Sequence, residues 1–571
     1  MRVVIRHKKE WLFFSHPKRV LQTKNLSEVL PLLREAEESG MFVAGFLSYE
    51  ASPAFDNAFQ THPPSEPFPL LCLGLFEAPE KKSFLTVSPS SFSISPLRPS
   101  LSKELFFDKI DQIKSRIAEG ATYQVNYTYR LNGTFEGDAW AFFCQLVDGQ
   151  QAEHAAFVET EDFALCSASP ELFFERKGER ILARPMKGTA PRGRTLSEDL
   201  DWAEKLRQSE KDRAENIMIV DMIRNDLGRI ARSGTVKVPT RFEIEKYPTV
   251  WQMTSTVEAK TTAGITEIFQ ALFPCASITG APKAKTMEII RDLEETPRNI
   301  YTGTIGFFSP KGDASFNVAI RTALIDRQTH TLEYGVGGGV VWDSKADSEY
   351  TETQLKARVL SRPQPSFRLL ETILKEEDGS LFLLEEHLCR LADSAQYFDI
   401  PINLSEIRRI LENAGEKTPC RLRLLLAQDG EVSIETHSLS LDSLSPVRLR
   451  PARQPIDLED ASLYHKTTRR SIYETAQKGM EDADEVLLWN QRGEITETTI
   501  ANLVIQKEGK LLTPALSSGL LPGTFRAHLL KKGTIQEAVL FFKDLEEAEE
   551  IFLINSVRKW RKAKWLGIES T

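Results

Sequence analysis

The chain has 571 residues, 41% hydrophobic and 27% charged, with a formal charge of −9 from 72 basic and 81 acidic side chains. That length calls for more than one folding unit, and the balance is that of a soluble globular protein, which excludes wholesale disorder, collagen and a long coiled coil. Net acidity argues against a nucleic-acid binder, no run of ~18 apolar residues marks a membrane helix, and six scattered cysteines without a CxxC pair are too few for a disulfide framework.

The N-terminus, MRVVIRHKKEWLFF, breaks every short apolar stretch with charge, so it does not read as a signal peptide. A reduced, cytoplasmic enzyme is the expectation. VAGFLSYEA (43–51) reads as a strand. Ser88–Ser102, with seven serines and three prolines in fifteen residues, reads as a long loop. KELFFDKIDQIKSRIAEG (103–120), SEKDRAENIMIVDMIRNDL (209–227) and SEYTETQLKARVL (348–360) have helical periodicity, whereas ELFFERKGERILARP (171–185), YTGTIGFFS (301–309) and LEYGVGGGVVW (332–342) are strand-like. Elements of the two kinds do not alternate strictly, so the class is α+β. SRPQPS holds two prolines in a short polar stretch. It places a linker at 361–366 between a first domain, 1–360, and a second, 367–571. The second alternates strands (CRLRLLLAQDGEVSIETHSL, DEVLLWNQRGEITE, ANLVIQKEGKLLTP) with a few helices and is also α+β.

Two helical stretches carry carboxylates three apart, Asp212 with Glu215 and Glu349 with Glu352. Such residues share a helix face, and two faces together would offer oxygen ligands to Mg²⁺. Solvated acidic faces have the same spacing, and Ser209 with Asp212 is also a capping-box-like pattern. Gly335–Gly339 leads into VVWDS, a strand pattern, and not into a helix, so a dinucleotide or P-loop reading fails. The glycines serve close approach to a ligand or a bulge. Lys187 and Glu171 are ordinary strand-end residues unless desolvated, in which case they become a nucleophile and an acid.

Seven blocks in order, GATYQVNYT (120–128), SASPELFFE (167–175), PMKGTAPR (185–192), KDRAENIMIVDMIRNDLGR (211–229), SITGAPKAKTMEII (277–290), FNVAIRT (316–322) and GVGGGVVWDSKADSEYTET (335–353), resemble the chorismate-utilising enzyme family. Family members that make 4-amino-4-deoxychorismate have lysine in the PIKGT-like block, where anthranilate synthases have alanine; this chain has Lys187, preceded by Met186 in place of the usual isoleucine. The resemblance implies an α/β sandwich in which Lys187 attacks C2 of chorismate and ammonia enters at C4. It implies Glu215 and Glu352 as direct Mg²⁺ ligands, Asp212 and Glu349 holding its waters, and Glu171 as the general acid. Arg321, Lys283, Thr189 and the backbone near Gly338 would bind substrate. Asn216 stands where members usually have histidine. No cysteine lies in a glutaminase elbow, so the resemblance implies a separate glutamine amidotransferase subunit as partner.

In the second domain, Glu371-Thr372, His387 and Arg390, Lys466, Glu497 and the run Leu521-Pro522-Gly523-Thr524 follow one another in the order of the class IV aminotransferase family, fold type IV of the pyridoxal-phosphate enzymes. By that resemblance Lys466 would carry pyridoxal 5'-phosphate, Glu497 would pair with its pyridine nitrogen, Arg390 and Thr524 would hold its phosphate, and Asn502 would support the loop. The strand and turn that members usually have before this point are shortened. Fusion to the first domain selects, within this family, a lyase that releases pyruvate to give 4-aminobenzoate for folate. The alternatives are an anthranilate- or isochorismate-type synthase joined to a branched-chain or D-amino-acid aminotransferase, and a silent C-terminal module.

Overall fold

The computed structural model describes all residues except 65–67, 86–89, 151, 358–359, 361–366, 416–418, 440–444, 479, 481 and 569–571. The expected linker, 361–366, lies outside the described residues. Two compact units form, one of Met1–Pro191 with Ala203–Gln364, the other of Arg192–Trp202 with Pro365–Thr571. Eleven residues that the sequence assigns to the first domain thus fold with the second.

In the first unit two antiparallel sheets of eleven and ten strands carry the architecture. One edge of the first sheet is made by Gln124–Gly137 and Thr331–Val340, paired without interruption from Thr134↔Thr331 to Val125↔Val340. One edge of the second is made by Met186–Pro191 and Val250–Lys260. The apolar residues of the inner faces interdigitate, Val3, Ile5 and Phe14 of one sheet packing with Ala44, Phe46 and Ile305 of the other. Helices cover the outer faces: Lys103–Ala118, Ala139–Gln150 and Lys283–Leu293 on the first, Leu26–Glu38, Glu210–Gly228 and Ile265–Leu272 on the second. Each fully buried large apolar side chain contributes about 1.5–3 kcal/mol, so both helix layers are held by their apolar stripes. The α+β class and the sandwich follow from this layering.

Two sequence readings change here. The serine-rich stretch is not a free loop, because Phe92–Ile94 and Arg98–Pro99 pair with the long strand Gln124–Gly137; a long edge strand offers unpaired backbone groups that even a polar segment satisfies. The strand pattern VVWDS ends at Val340. A turn in which Val341 N donates to Ser344 Oγ (3.1 Å) leads into the helix Ala346–Ala357.

The second unit has a three-stranded antiparallel sheet, Leu369–Lys375, Cys420–Leu426 and Val432–Ser438. Its apolar face packs Leu369, Ile373, Leu422 and Leu424 against Leu388 and Leu391 of the helix Leu384–Phe398 and against Leu404–Asn413. A mixed sheet of eight strands completes the unit. The turn at Asp378-Gly379 closes only the bridge Lys375↔Leu381, since the chain then enters the helix. Within this unit Arg192 pairs with Asp199 (2.7 and 2.9 Å) and lies over the Tyr397 ring, whose hydroxyl donates to Gly193 O at 2.7 Å.

Candidate active sites

The first site lies where the edges of the two sheets approach each other. Lys187 comes from the second sheet's edge strand, and Gly339 from the first sheet. A Cβ on Gly339 would stand 2.1 Å from Gln124 Nε2 and 3.1 Å from Lys187 Nζ. On Gly337 it would meet Tyr127 O at 2.4 Å, and on Gly335 it would enter the Tyr301 ring. With the register unbroken, these glycines form no bulge, and the close approach they permit is that of the protein's own atoms. Burial lowers the pKa of Lys187 against the pull of Glu215, Glu171 and Glu352. Glu171 is 3% exposed and accepts a hydrogen bond from Ser277 Oγ at 2.7 Å. Burial pushes its pKa up to about 7. An amine made easier to deprotonate thus stands in the field of a carboxyl that keeps its proton near neutral pH, which suits a nucleophile and an acid. Asn216 donates to Lys187 O (3.4 Å) and accepts from Ser255 Oγ (2.5 Å), so it steadies the backbone of the lysine block.

Glu349, Glu352 and Lys356 lie on the helix Ala346–Ala357. Lys356 pairs with Glu352 at 2.8 Å and donates to Gly337 O at 2.8 Å. Glu352 is held below the usual carboxylate range by Lys356. Glu215 and Glu349 are raised first by burial, then by neighbouring carboxylates, Asp212 and Glu349 around Glu215 and Glu352 beside Glu349. Asp212 also meets the capping reading: its N–H is accepted by Ser209 Oγ (3.2 Å) at the start of the helix Glu210–Gly228. This set of mutually repelling hard oxygens fits Mg²⁺ in chemistry. No three His, Cys, Asp or Glu side chains among the described residues are drawn together into a ready-made cage.

Of the expected substrate contacts, Arg321 is half-buried and donates to Gln150 Oε1 at 3.0 Å. Thr189 donates to Gln252 Oε1 at 3.2 Å, and Gly338 stands beside Glu349 and Lys356. Lys283 pairs with Asp226 at 2.9 Å and also donates to Leu272 O. Sequence reasoning missed Lys356 and Gln124. Lys356 follows Glu352 by four residues, a helical spacing that was legible. Gln124 is 1% exposed, and neither amide atom has a hydrogen-bond partner among the described residues; a neutral amide inside a strand gives no sequence signal.

The second site is a cavity of about 460 Å³ lined by Lys466, Glu497, Arg390, Thr524 and Asn502. Lys466 O accepts from Leu370 N (2.9 Å), which fixes the lysine against the three-stranded sheet. Burial, with Arg390 nearby, lowers the Lys466 pKa to about 8. Burial raises Glu497 to about 7, and its oxygens accept from Tyr473 Oη (2.9 Å), Asn502 Nδ2 (3.1 Å) and Leu521 N (3.1 Å). Glu371 takes two bonds from Arg390 (2.9 and 2.6 Å) and one from His387 Nδ1 (2.6 Å). Because a carboxylate only accepts, the His387 proton sits on Nδ1, and Nε2 takes a bond from Thr524 Oγ1 at 3.3 Å. Thr524 opens the helix Thr524–Lys531, whose first N–H groups suit an anion. Together the depressed amine, the shielded carboxyl, the fixed guanidinium and the helix start fit pyridoxal phosphate.

Residues 4–362 match the family model for chorismate binding enzymes, and residues 368–565 the model for class IV amino-transferases. Over 261 residues the chain is 42% identical to aminodeoxychorismate synthase component 1 of Klebsiella aerogenes, covering 45% of this chain and 57% of that protein. The corresponding Bacillus subtilis protein is 39% identical over 259 residues, with 45% and 55% covered. An anthranilate synthase component 1 of Haloarcula marismortui is 40% identical over 260 residues, with 45% and 53% covered, so identity alone does not separate the two products. The chain spans little more than half the length of these relatives. The solved anthranilate synthase component I of Streptococcus pneumoniae has the same fold, at a TM-score of 0.53 and 22% identity, over 63% of this chain and 92% of that one. The chain belongs to the chorismate-binding enzyme family and carries a class IV aminotransferase domain after it.

Proposed function

We propose that the chain makes 4-aminobenzoate for folate in two steps, as a cytoplasmic enzyme. The first unit converts chorismate and ammonia to 4-amino-4-deoxychorismate. Lys187 adds to C2 while Glu171 protonates the departing C4 hydroxyl; ammonia then adds at C4 and expels the Lys187 amine. Glu215 and Glu352, with Asp212 and Glu349 behind them, would hold Mg²⁺, which neutralises the ring carboxylate. Arg321 and Lys283 bind the remaining carboxylate charge, and Thr189 and the Gly338 backbone complete the pocket. Ammonia comes from a separate glutamine amidotransferase, in keeping with relatives named as component 1.

The second unit takes the intermediate by its C4 amine. Pyridoxal phosphate, held by Lys466, Arg390, Thr524 and Glu497, supplies an electron sink next to the amine-bearing carbon. Lys466 removes the C4 proton, Glu497 keeps the ring nitrogen protonated, and loss of the enolpyruvyl group as pyruvate leaves an aromatic ring.

The observation that carries this reading is the desolvated Lys187 amine within the field of Glu171 and Glu215. Chorismate and ammonium are supplied with excess lyase. Lys187→Ala should lower 4-amino-4-deoxychorismate formation by at least on the order of 10³-fold, as for other covalent nucleophiles. Lys466→Ala should leave that step intact and stop pyruvate release. An unchanged first step in Lys187→Ala, or equal pyruvate from the intermediate fed to Lys466→Ala, overturns the corresponding half.

A further inference from the structure

Tyr473 reaches the second unit's cavity from a helix that the reaction above does not use. In TRRSIYETAQ, Arg470, Tyr473 and Gln477 are spaced three and four apart, so they share one face of the helix Ser471–Gln477 and its N-terminal cap. That face meets the turn that follows Glu497. Arg470 donates to Thr499 O, and Gln477 Nε2 donates to Thr499 Oγ1 at 3.0 Å. Thr499 Oγ1 in turn donates to Glu485 Oε2 at 2.7 Å, which anchors the turn to the strand Glu485–Trp489. The Tyr473 ring is buried against Leu463, Val486 and Leu488, with the Arg470 guanidinium 4.5 Å from its centre. Packing on one face and a cation on the ring thus fix where the hydroxyl points, and it points at Glu497.

The donors around Glu497 fall unevenly on its two oxygens. Among the described residues, Oε1 accepts from Tyr473 Oη (2.9 Å) and Leu521 N (3.1 Å), and Oε2 from Asn502 Nδ2 (3.1 Å). Asn502 is the cross-strand partner of Glu497, so its amide is placed by the register itself. A carboxylate offers about two lone pairs on each oxygen. Two donors therefore fill Oε1, and one position on Oε2 stays open. Burial drives Glu497 toward its protonated form, and each donor opposes that by stabilising the charge. Burial and the neighbouring Glu497 also keep the proton on the Tyr473 phenol, so it is there to be donated.

Resting on the pyridoxal-phosphate lyase reading above, we propose that Tyr473 is a positioning residue: by filling Oε1 it keeps Glu497 a carboxylate and leaves Oε2 to take the N–H of the cofactor's pyridine ring. Without the phenol, a buried carboxylate served by two donors gains a proton more readily. A protonated Glu497 no longer holds the pyridine nitrogen in its charged form, and the electron sink weakens, while Lys466, Arg390 and Thr524 keep their places. Tyr473 thus acts on the chemistry through Glu497.

The test loads the full chain with pyridoxal phosphate carrying ¹⁵N in its ring and reads that nitrogen by NMR near neutral pH, beside pyruvate release from 4-amino-4-deoxychorismate. In wild type the nitrogen should resonate as a pyridinium. Tyr473→Phe keeps the ring in its apolar cluster and removes only the hydroxyl. Its resonance should move toward free pyridine, and kcat for pyruvate should fall about 10–100-fold with KM little changed, the loss of one hydrogen bond to a charged group. The absorbance band of lysine-bound cofactor in both proteins checks that loading is intact. A tyrosine that only fills space would lower stability and leave the nitrogen where it was, so an unchanged resonance in Tyr473→Phe overturns the proposal. Wild type alone keeps it falsifiable should the variant not fold: a free-pyridine nitrogen overturns it, even if pyruvate is released. The shifted resonance without pyruvate release from wild type upholds the role of Tyr473 and refutes the lyase reading instead. Absence of lysine-bound cofactor in wild type overturns both.

Discussion

Gly339→Ala tests whether the closeness of the two sheet edges is what makes the first site. Gly339 lies outside the left-handed region, so its backbone accepts alanine and only space is contested. The added methyl would stand 2.1 Å from Gln124 Nε2, so the amide must retreat by about 1.3 Å to reach ordinary contact, and 3.1 Å from Lys187 Nζ. Gln124 is buried and hemmed in, so the strain should cost about 1–3 kcal/mol of stability, as overpacking does. A shift of this size at reacting groups costs about 10²-fold in rate, or roughly 2.7 kcal/mol of barrier. Amination of chorismate with ammonium and Mg²⁺ should fall by that factor while the second unit's lyase activity stays at wild-type level. Adding Gln124→Ala to Gly339→Ala should restore unfolding stability by vacating the contested space. Amination by Gly339→Ala within about threefold of wild type would refute the reasoning, because such a change is under 1 kcal/mol.

Glu215→Gln and Glu352→Gln should weaken Mg²⁺ and chorismate binding together, because the ion would bridge them; normal turnover at low Mg²⁺ would remove these residues from the metal. The pure chain should aminate with ammonium salts and use glutamine only with an added amidotransferase, and release of glutamate by the chain alone would contradict this. Glu371, held near pKa 2 against an ordinary 4.5 chiefly by Arg390 and His387 in spite of its burial, adds stability that is complete above about pH 4.5 and is lost as pH falls toward 2. The loss is about 3 kcal/mol. Glu371→Gln should therefore flatten the acid limb of unfolding followed by near-ultraviolet circular dichroism, and an unchanged limb would show that the pair contributes nothing.

The candidate site residues were legible as candidates because they sit in short blocks of distinctive order and spacing. The Lys187 block, the two acidic helices, and the succession of Arg390, Lys466, Glu497 and Thr524 needed no coordinates, and neither did the helical and strand periodicities that gave the α+β class. The tertiary structure decided what those side chains meet. Lys283 and Arg321 look alike as lone cations on the sequence, yet one pairs with Asp226 of another helix and the other, half-buried, donates to Gln150. Gln124 and Gly339 lie 215 residues apart and became one contact only when two strands aligned. Arg192–Trp202 joined the second unit because its partners, Tyr397 and Tyr464, are supplied 204 and 270 residues later. Periodicity reports which face of an element is apolar, and that is a local property. Which charge neutralises which, and which glycine admits which neighbour, depends on long-range packing that no local window contains.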